Sequence, residues 1–109
     1  MQLRPKTGEH SIFKIGTITL NTSTYQVFKG DEEISLTQKE FALLEHLIRN
    51  KGMVCRRSRI IESVWDIHFD YNTGVIDVFI NALRKKLKLG KDENYIQTVR
   101  GVGYIAKEI

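Results

Sequence analysis

Residues 74–88 carry polar side chains at spacings suited to reading the edges of base pairs. Asn81 offers a donor and an acceptor from one amide, the combination that pairs in bidentate fashion with adenine. Arg84 and Lys85 can reach guanine or phosphate, and Lys88 suits a phosphate. Their neighbours Gly74, Val75, Val78 and Ala82 are small or apolar, so a backbone here can come close to base edges, and Val78 can touch a thymine methyl. A second feature is "RGVG" at 100–103, an arginine beside a glycine-rich turn. Arginine at a narrow tip suits the minor groove, where A·T-rich sequence concentrates negative potential.

Other chemistries find less support. His10, His46, His68 and Cys55 lack metal-ligand spacing, and Cys55 reads as a small apolar residue on a short strand. No nucleophile, base and orienting group assemble, so the chain does not read as an enzyme. "GVG" follows a strand without opening a helix, so it is no nucleotide fingerprint, and no cofactor is implied. Trp65, Phe69 and Tyr71 could stack single-stranded bases, but their loop setting suits packing better.

The elements that must position these residues follow from periodicity. Residues 1–10 hold the only proline and read as a linker or an added end; 11–109 read as one domain. "SIFKI", "TITL", "TYQVF" and "EEISL" form a meander of short antiparallel strands, with Gly30-Asp31 as one hairpin turn. Thr37 and Glu40 have capping-box spacing, with Leu36 and Phe41 as a staple. Phe41, Leu44, Leu47 and Ile48 then line one helical face, and Gly52 can end that helix. A shorter helix covers about Arg57–Trp65 and 66–74 is a loop. A third helix runs from about Gly74 to Lys88, capped by Asn72 or Thr73, burying Ile76, Ile80, Leu83 and Leu87. Residues 95–106 form a hairpin with a two-residue turn at Gly101-Val102, which leaves Arg100 at a strand end. The fold class is therefore α+β: a winged helix-turn-helix with an N-terminal meander of antiparallel strands, three helices and a C-terminal β-hairpin wing.

Charge distribution supports a polyanionic partner. The 109 residues carry a net charge of +4, modest by itself. Acidic residues gather at Asp31, Glu32 and Glu33, and basic ones at 56–59 and 84–91, with no Asp or Glu between residues 78 and 91. Cations near a helix C-terminus also complement its dipole, and an outer face is normally charged. A solvated face usually mixes both signs, however, and this one does not. No run is long enough to span a membrane, and one cysteine cannot form an internal disulfide, which fits a cytoplasmic setting.

"LTQKEFALLEHLIRNKG", "VW" at 64–65, "VIDVFINALRKKL" at 75–87 and "IQTVRGVGY" at 96–104 together resemble the C-terminal winged-helix effector domain of OmpR/PhoB-type response regulators, over residues 11–109. The resemblance implies sequence-specific double-stranded DNA binding under two-component control of transcription. It makes 74–88 the recognition helix in the major groove and 95–106 the wing, with Thr98 and Arg100 at wing positions and Arg100 in or near the minor groove. It also implies that the Trp65 indole N–H donates to a phosphate and that loop 66–73 touches RNA polymerase. The N-terminal meander would be a four-stranded antiparallel sheet, partly facing a receiver domain, which is absent from this chain. Binding would be as a head-to-tail dimer on direct repeats, with the isolated domain monomeric. Gly74, Phe79 and Asn81 depart from the family's commoner arginine, histidine and arginine, which leaves a reading face poor in arginine. That motivates one alternative, a module that docks an acidic protein.

Overall fold

The computed structural model describes residues 11–65 and 74–108. Strands β1 (Ile12–Ile15), β2 (Ile18–Asn21), β3 (Gln26–Lys29) and β4 (Glu32–Ile34) form an antiparallel sheet in sequence order. Alternation sends Ile15, Ile18, Leu20, Val27 and Ile34 to the buried face. The β3–β4 turn is Gly30-Asp31, with Lys29 opposite Glu32 and Gly30 at φ +60°. The β2–β3 connection holds a feature that periodicity did not reveal. Tyr25 adopts a left-handed φ of +59°, and its ring stacks on Phe41 with centroids 4.8 Å apart.

Helix α1 (Gln38–Arg49) begins with the expected reciprocal cap. The Glu40 N–H donates to Thr37 Oγ1 (3.3 Å), and the Thr37 N–H donates to Glu40 Oε1 (2.9 Å). Such caps are worth about 1 kcal/mol. Phe41, Leu43, Leu44, Leu47 and Ile48 are buried along the core side. The helix closes at Asn50 rather than at Gly52, because the Asn50 amide donates to the His46 carbonyl at 2.8 Å. Gly52, at φ +88°, turns the chain afterwards, and its N–H donates to Ala106 O at 2.8 Å.

Strand β5 (Val54–Arg56) leads into α2 (Arg57–Val64), and α3 follows at Gly74–Lys86. A 3-10 turn (Lys91–Glu93) precedes β6 (Ile96–Val99) and β7 (Gly103–Ala106). The wing is more than a hairpin: β5 joins it, giving a three-stranded sheet in the order β5-β7-β6. Cys55 is buried within it, and burial pushes its thiol pKa up.

The wing turn differs from the two-residue loop. Val99 pairs with Gly103, so the loop is Arg100–Val102. The Val102 N–H donates to Val99 O at 3.0 Å and Gly101 has φ +75°, a type II arrangement. The reason lies in β5. Gly103 pairs with Arg56, and a Cβ on Gly103 would lie 2.0 Å from the Cys55 carbonyl oxygen. The glycine is thus held in the strand by close approach of a neighbouring backbone. Arg100 consequently stands in the turn itself.

Helix α3 also ends earlier than Lys88. The Leu89 N–H donates to Arg84 O (3.1 Å) and the Lys88 N–H to Lys85 O (3.0 Å), with Lys88 at φ +54°. This is a Schellman closure with lysine where glycine is usual. The sheet holds that residue in place: Lys29 Nζ donates to Lys88 O at 2.5 Å, and Lys88 Nζ lies 2.7 Å from Glu32 Oε2.

Candidate nucleic-acid interface

The sides of α3 have different duties. Ile76, Ile80 and Leu83 are buried in the core. On the opposite side Val78, Asn81 and Lys85 are exposed, with Gly74 and Ala82 half-buried beside them. Val78 keeps 65% of its surface in water. Among the described residues, the Asn81 and Lys85 side chains have no hydrogen-bond or ion-pair partner, so their polar groups are open to a ligand. On one flank, Val75 and Phe79 are half-buried, and Phe79 meets the Trp65 ring edge-on at 5.1 Å. Trp65 caps the end of α2, so this contact joins that end to α3.

Asp77 and Arg84 occupy the other flank, seven residues and nearly two full turns apart. Asp77 Oδ1 accepts the Tyr104 hydroxyl and, at 3.0 Å, Arg57 Nη2. The Arg57 guanidinium also sits 5.4 Å over the Tyr104 ring. The Tyr104 hydrogen bond lowers the Asp77 pKa most; burial opposes it, and the Arg57 hydrogen bond and charge add to the lowering, so the carboxyl stays below its ordinary value. The start of α3 is thereby joined to α2 and β7. Two turns on, Arg84 Nη2 donates to Ile96 O (2.8 Å) and Thr98 Oγ1 (3.3 Å), and its Nε donates to Ile96 O (3.3 Å).

The basic stretch 84–91 is less free than its local sequence suggests. Lys86 Nζ lies 2.7 Å from Glu40 Oε1, the same oxygen that caps α1. Burial acts to raise the Glu40 pKa, but the Lys86 ammonium and the Thr37 donors outweigh it and hold the carboxyl below its ordinary value. Lys88 pairs with Glu32. The acids missing between residues 78 and 91 are therefore supplied by α1 and β4, far off in sequence. Lys85 remains an exposed cation on the outer side of α3, and Arg100 is exposed at the wing tip. Thr98 is exposed on β6 and accepts from Arg84.

Arg56 and Arg59 are exposed and without an ion pair among the described residues. Arg56 takes the N-cap of α2 without a side-chain cap bond, no acid stands in the first turn, and the Arg57 N–H donates to Val102 O beside the wing tip (3.2 Å). Cations at a helix N-terminus oppose its dipole. "RRSR" was the visible signal, but only the fold brings it next to the wing. Loop 66–73 and the Asn72 or Thr73 cap lie outside the described residues, as do residues 1–10. No helix among the described residues is long and apolar enough to cross a membrane.

The family described as "Transcriptional regulatory protein, C terminal" matches residues 31–106. The response regulator MprA of Mycolicibacterium vanbaalenii is 41% identical over 101 residues, covering 93% of this chain and 44% of the relative. The chain thus spans less than half the length of the curated relatives it matches. Thermotoga maritima DrrB, an OmpR/PhoB homologue, superposes with a TM-score of 0.80 at 28% identity, over 89% of this chain and 44% of that one. The Klebsiella pneumoniae RstA DNA-binding domain, solved in complex with the RstA box, gives a TM-score of 0.79 at 30% identity, over 90% of this chain and 98% of that one.

Proposed function

Because the chain belongs to the C-terminal family of transcriptional regulatory proteins, as an OmpR/PhoB-type effector domain that binds DNA to control transcription, we propose that it recognises a specific double-stranded sequence through α3 and the wing. The observation that carries this reading is the open outer strip of α3, where Val78, Asn81 and Lys85 have exposed side chains. Gly74, Val75 and Ala82 let that strip approach the bases, Asn81 reads adenine, and Val78 meets a thymine methyl. Lys85 and the Trp65 indole N–H bind phosphate, while Lys88 assists only by giving up Glu32. Arg100 enters the adjacent minor groove, with Thr98 beside it.

On direct repeats two copies would sit head to tail, and residues 66–73 would meet RNA polymerase. These two expectations rest on the family resemblance, as does the cytoplasmic setting. The test is selection of duplexes from a random pool, followed by titration of the selected and an unselected duplex. A preferred sequence should emerge. Asn81→Ala should relax preference at one position, costing about 1–3 kcal/mol there. An unchanged preference profile would remove Asn81 from the reading face.

A further inference from the structure

We infer that Arg84 is a positioning residue: it clamps the recognition helix to the wing, so that the two reading elements meet DNA at a fixed separation. The inference rests on the DNA-binding role assigned to α3 and the wing, and it gives Arg84 a different task from the direct guanine or phosphate contact that its position in the sequence suggests.

The argument is geometric. Arg84 is half-buried, and its guanidinium points along the protein surface to β6, with three hydrogen bonds to Ile96 O and Thr98 Oγ1. A guanidinium presents its donors as a rigid planar fork, and here Nε and Nη2 both engage the Ile96 carbonyl. An ammonium is a single point of donation and cannot reproduce that arrangement. Arg84 also does not act alone. Asp77 lies seven residues earlier, only about 20° away around the helix. Asp77 is tied to Tyr104 on β7, Arg84 to the carbonyl of Ile96 on β6. Two attachments about 10 Å apart along one flank determine the tilt of α3 against the wing as well as its rotation.

The open strip of Val78, Asn81 and Lys85 lies next to this flank, so the clamp determines how far that strip stands from Arg100. Specific binding needs the strip and the tip in adjacent grooves at once. Non-specific binding needs only cations near phosphates. Loss of the clamp therefore lowers specific affinity selectively.

The test compares wild-type, Arg84→Lys and Arg84→Gln chains on a duplex selected by the wild type and on an unselected duplex of equal length, over a range of salt. The clamp predicts that Arg84→Lys loses about tenfold in affinity for the selected duplex, the scale of a charged hydrogen bond. Affinity for the unselected duplex should hold. Arg84→Gln should show the same selective loss with an unchanged salt slope. If Arg84 instead binds phosphate, Arg84→Lys keeps its specific affinity and Arg84→Gln lowers the salt slope by about one contact on both duplexes; either result overturns the inference. An independent check needs no variant. In the free wild-type chain the Arg84 Nε–H resonance should be protected from exchange with water, and exchange as fast as that of Arg100 would also overturn it. A wild type that fails to discriminate the two duplexes refutes the DNA-reading assignment instead, so the two failures are distinguishable.

Discussion

Replacing Gly103 with alanine tests how the wing is built, because the glycine there serves only to provide space. Its φ is not among the positive values, so alanine meets no backbone penalty. The added Cβ would lie 2.0 Å from the Cys55 carbonyl oxygen and 3.1 Å from Arg56 Cα. An ordinary carbon–oxygen contact is about 3.3 Å, so β5 and β7 must separate by about 1.3 Å at that point. Both contacts are with backbone, and no flexible side chain can yield. Hydrogen bonds near 2.9 Å do not survive such a displacement. β5 is held to β7 by the pairs Val54↔Ile105, Cys55↔Tyr104 and Arg56↔Gly103. Overpacking of about 1–3 kcal/mol and one or two lost hydrogen bonds at about 1 kcal/mol each are offset slightly by a less flexible unfolded chain. The net loss should be about 3 kcal/mol, or roughly 13 °C in Tm for a domain of this size. Gly101→Ala provides the contrast. It has φ +75° with no atom within 4 Å of the added carbon, so it should lose only the left-handed strain of about 1 kcal/mol. Thermal melts followed by circular dichroism, with urea titrations for the m-value, measure both. If Gly103→Ala melts with Gly101→Ala, or close to wild type, the close-approach argument is wrong.

Glu40 has a folded-state pKa below its unfolded value, so its contribution to stability is present above the unfolded pKa and is lost as pH falls through the folded one. Glu40→Gln should therefore flatten the acid side of the stability profile below about pH 4.5, and melts across that range would show an undiminished slope if the pairing with Lys86 contributes nothing. Lys88→Gly removes left-handed strain of about 1–2 kcal/mol and an exposed ion pair worth about 0–1 kcal/mol, so urea unfolding should show a small net gain; a clear loss would mean that the Glu32 pair dominates. Arg100→Ala should lower the salt slope of binding by about one contact, most visibly on A·T-flanked duplexes, and an unchanged slope would place Arg100 away from the phosphates. Cys55, buried and with a raised thiol pKa, should resist alkylation until the chain unfolds; rapid labelling of the native protein would contradict the closed wing sheet.

Much of the fold is legible in short windows of sequence. The Thr37–Glu40 cap forms as its spacing implies, because both of its hydrogen bonds lie within one turn of chain. The meander, the Gly30-Asp31 turn and the buried face of α3 follow from local periodicity in the same way. The wing turn differs by one residue from what its local sequence implies. The competing demand came from β5, some fifty residues earlier, and no local turn preference carries that information. Tyr25 in a left-handed conformation was equally hidden, since the Phe41 ring on which it stacks belongs to another element.

The sequence by itself determines which residues can read a base pair and which side of α3 they share, because a helix turns by a constant angle and needs no partner to do so. It also determines the family. Charge pairing, by contrast, is a property of distance in space. Lys86 and Lys88 appear unopposed in the chain, yet Glu40 and Glu32 meet them in the fold. Arg84 reads in the chain as a contact for DNA, and in the fold its guanidinium donates to Ile96 O on β6. Of the basic cluster, tertiary structure alone decided which cations brace the protein and which stand open, and it left Lys85 on the helix and Arg100 on the wing tip exposed to solvent.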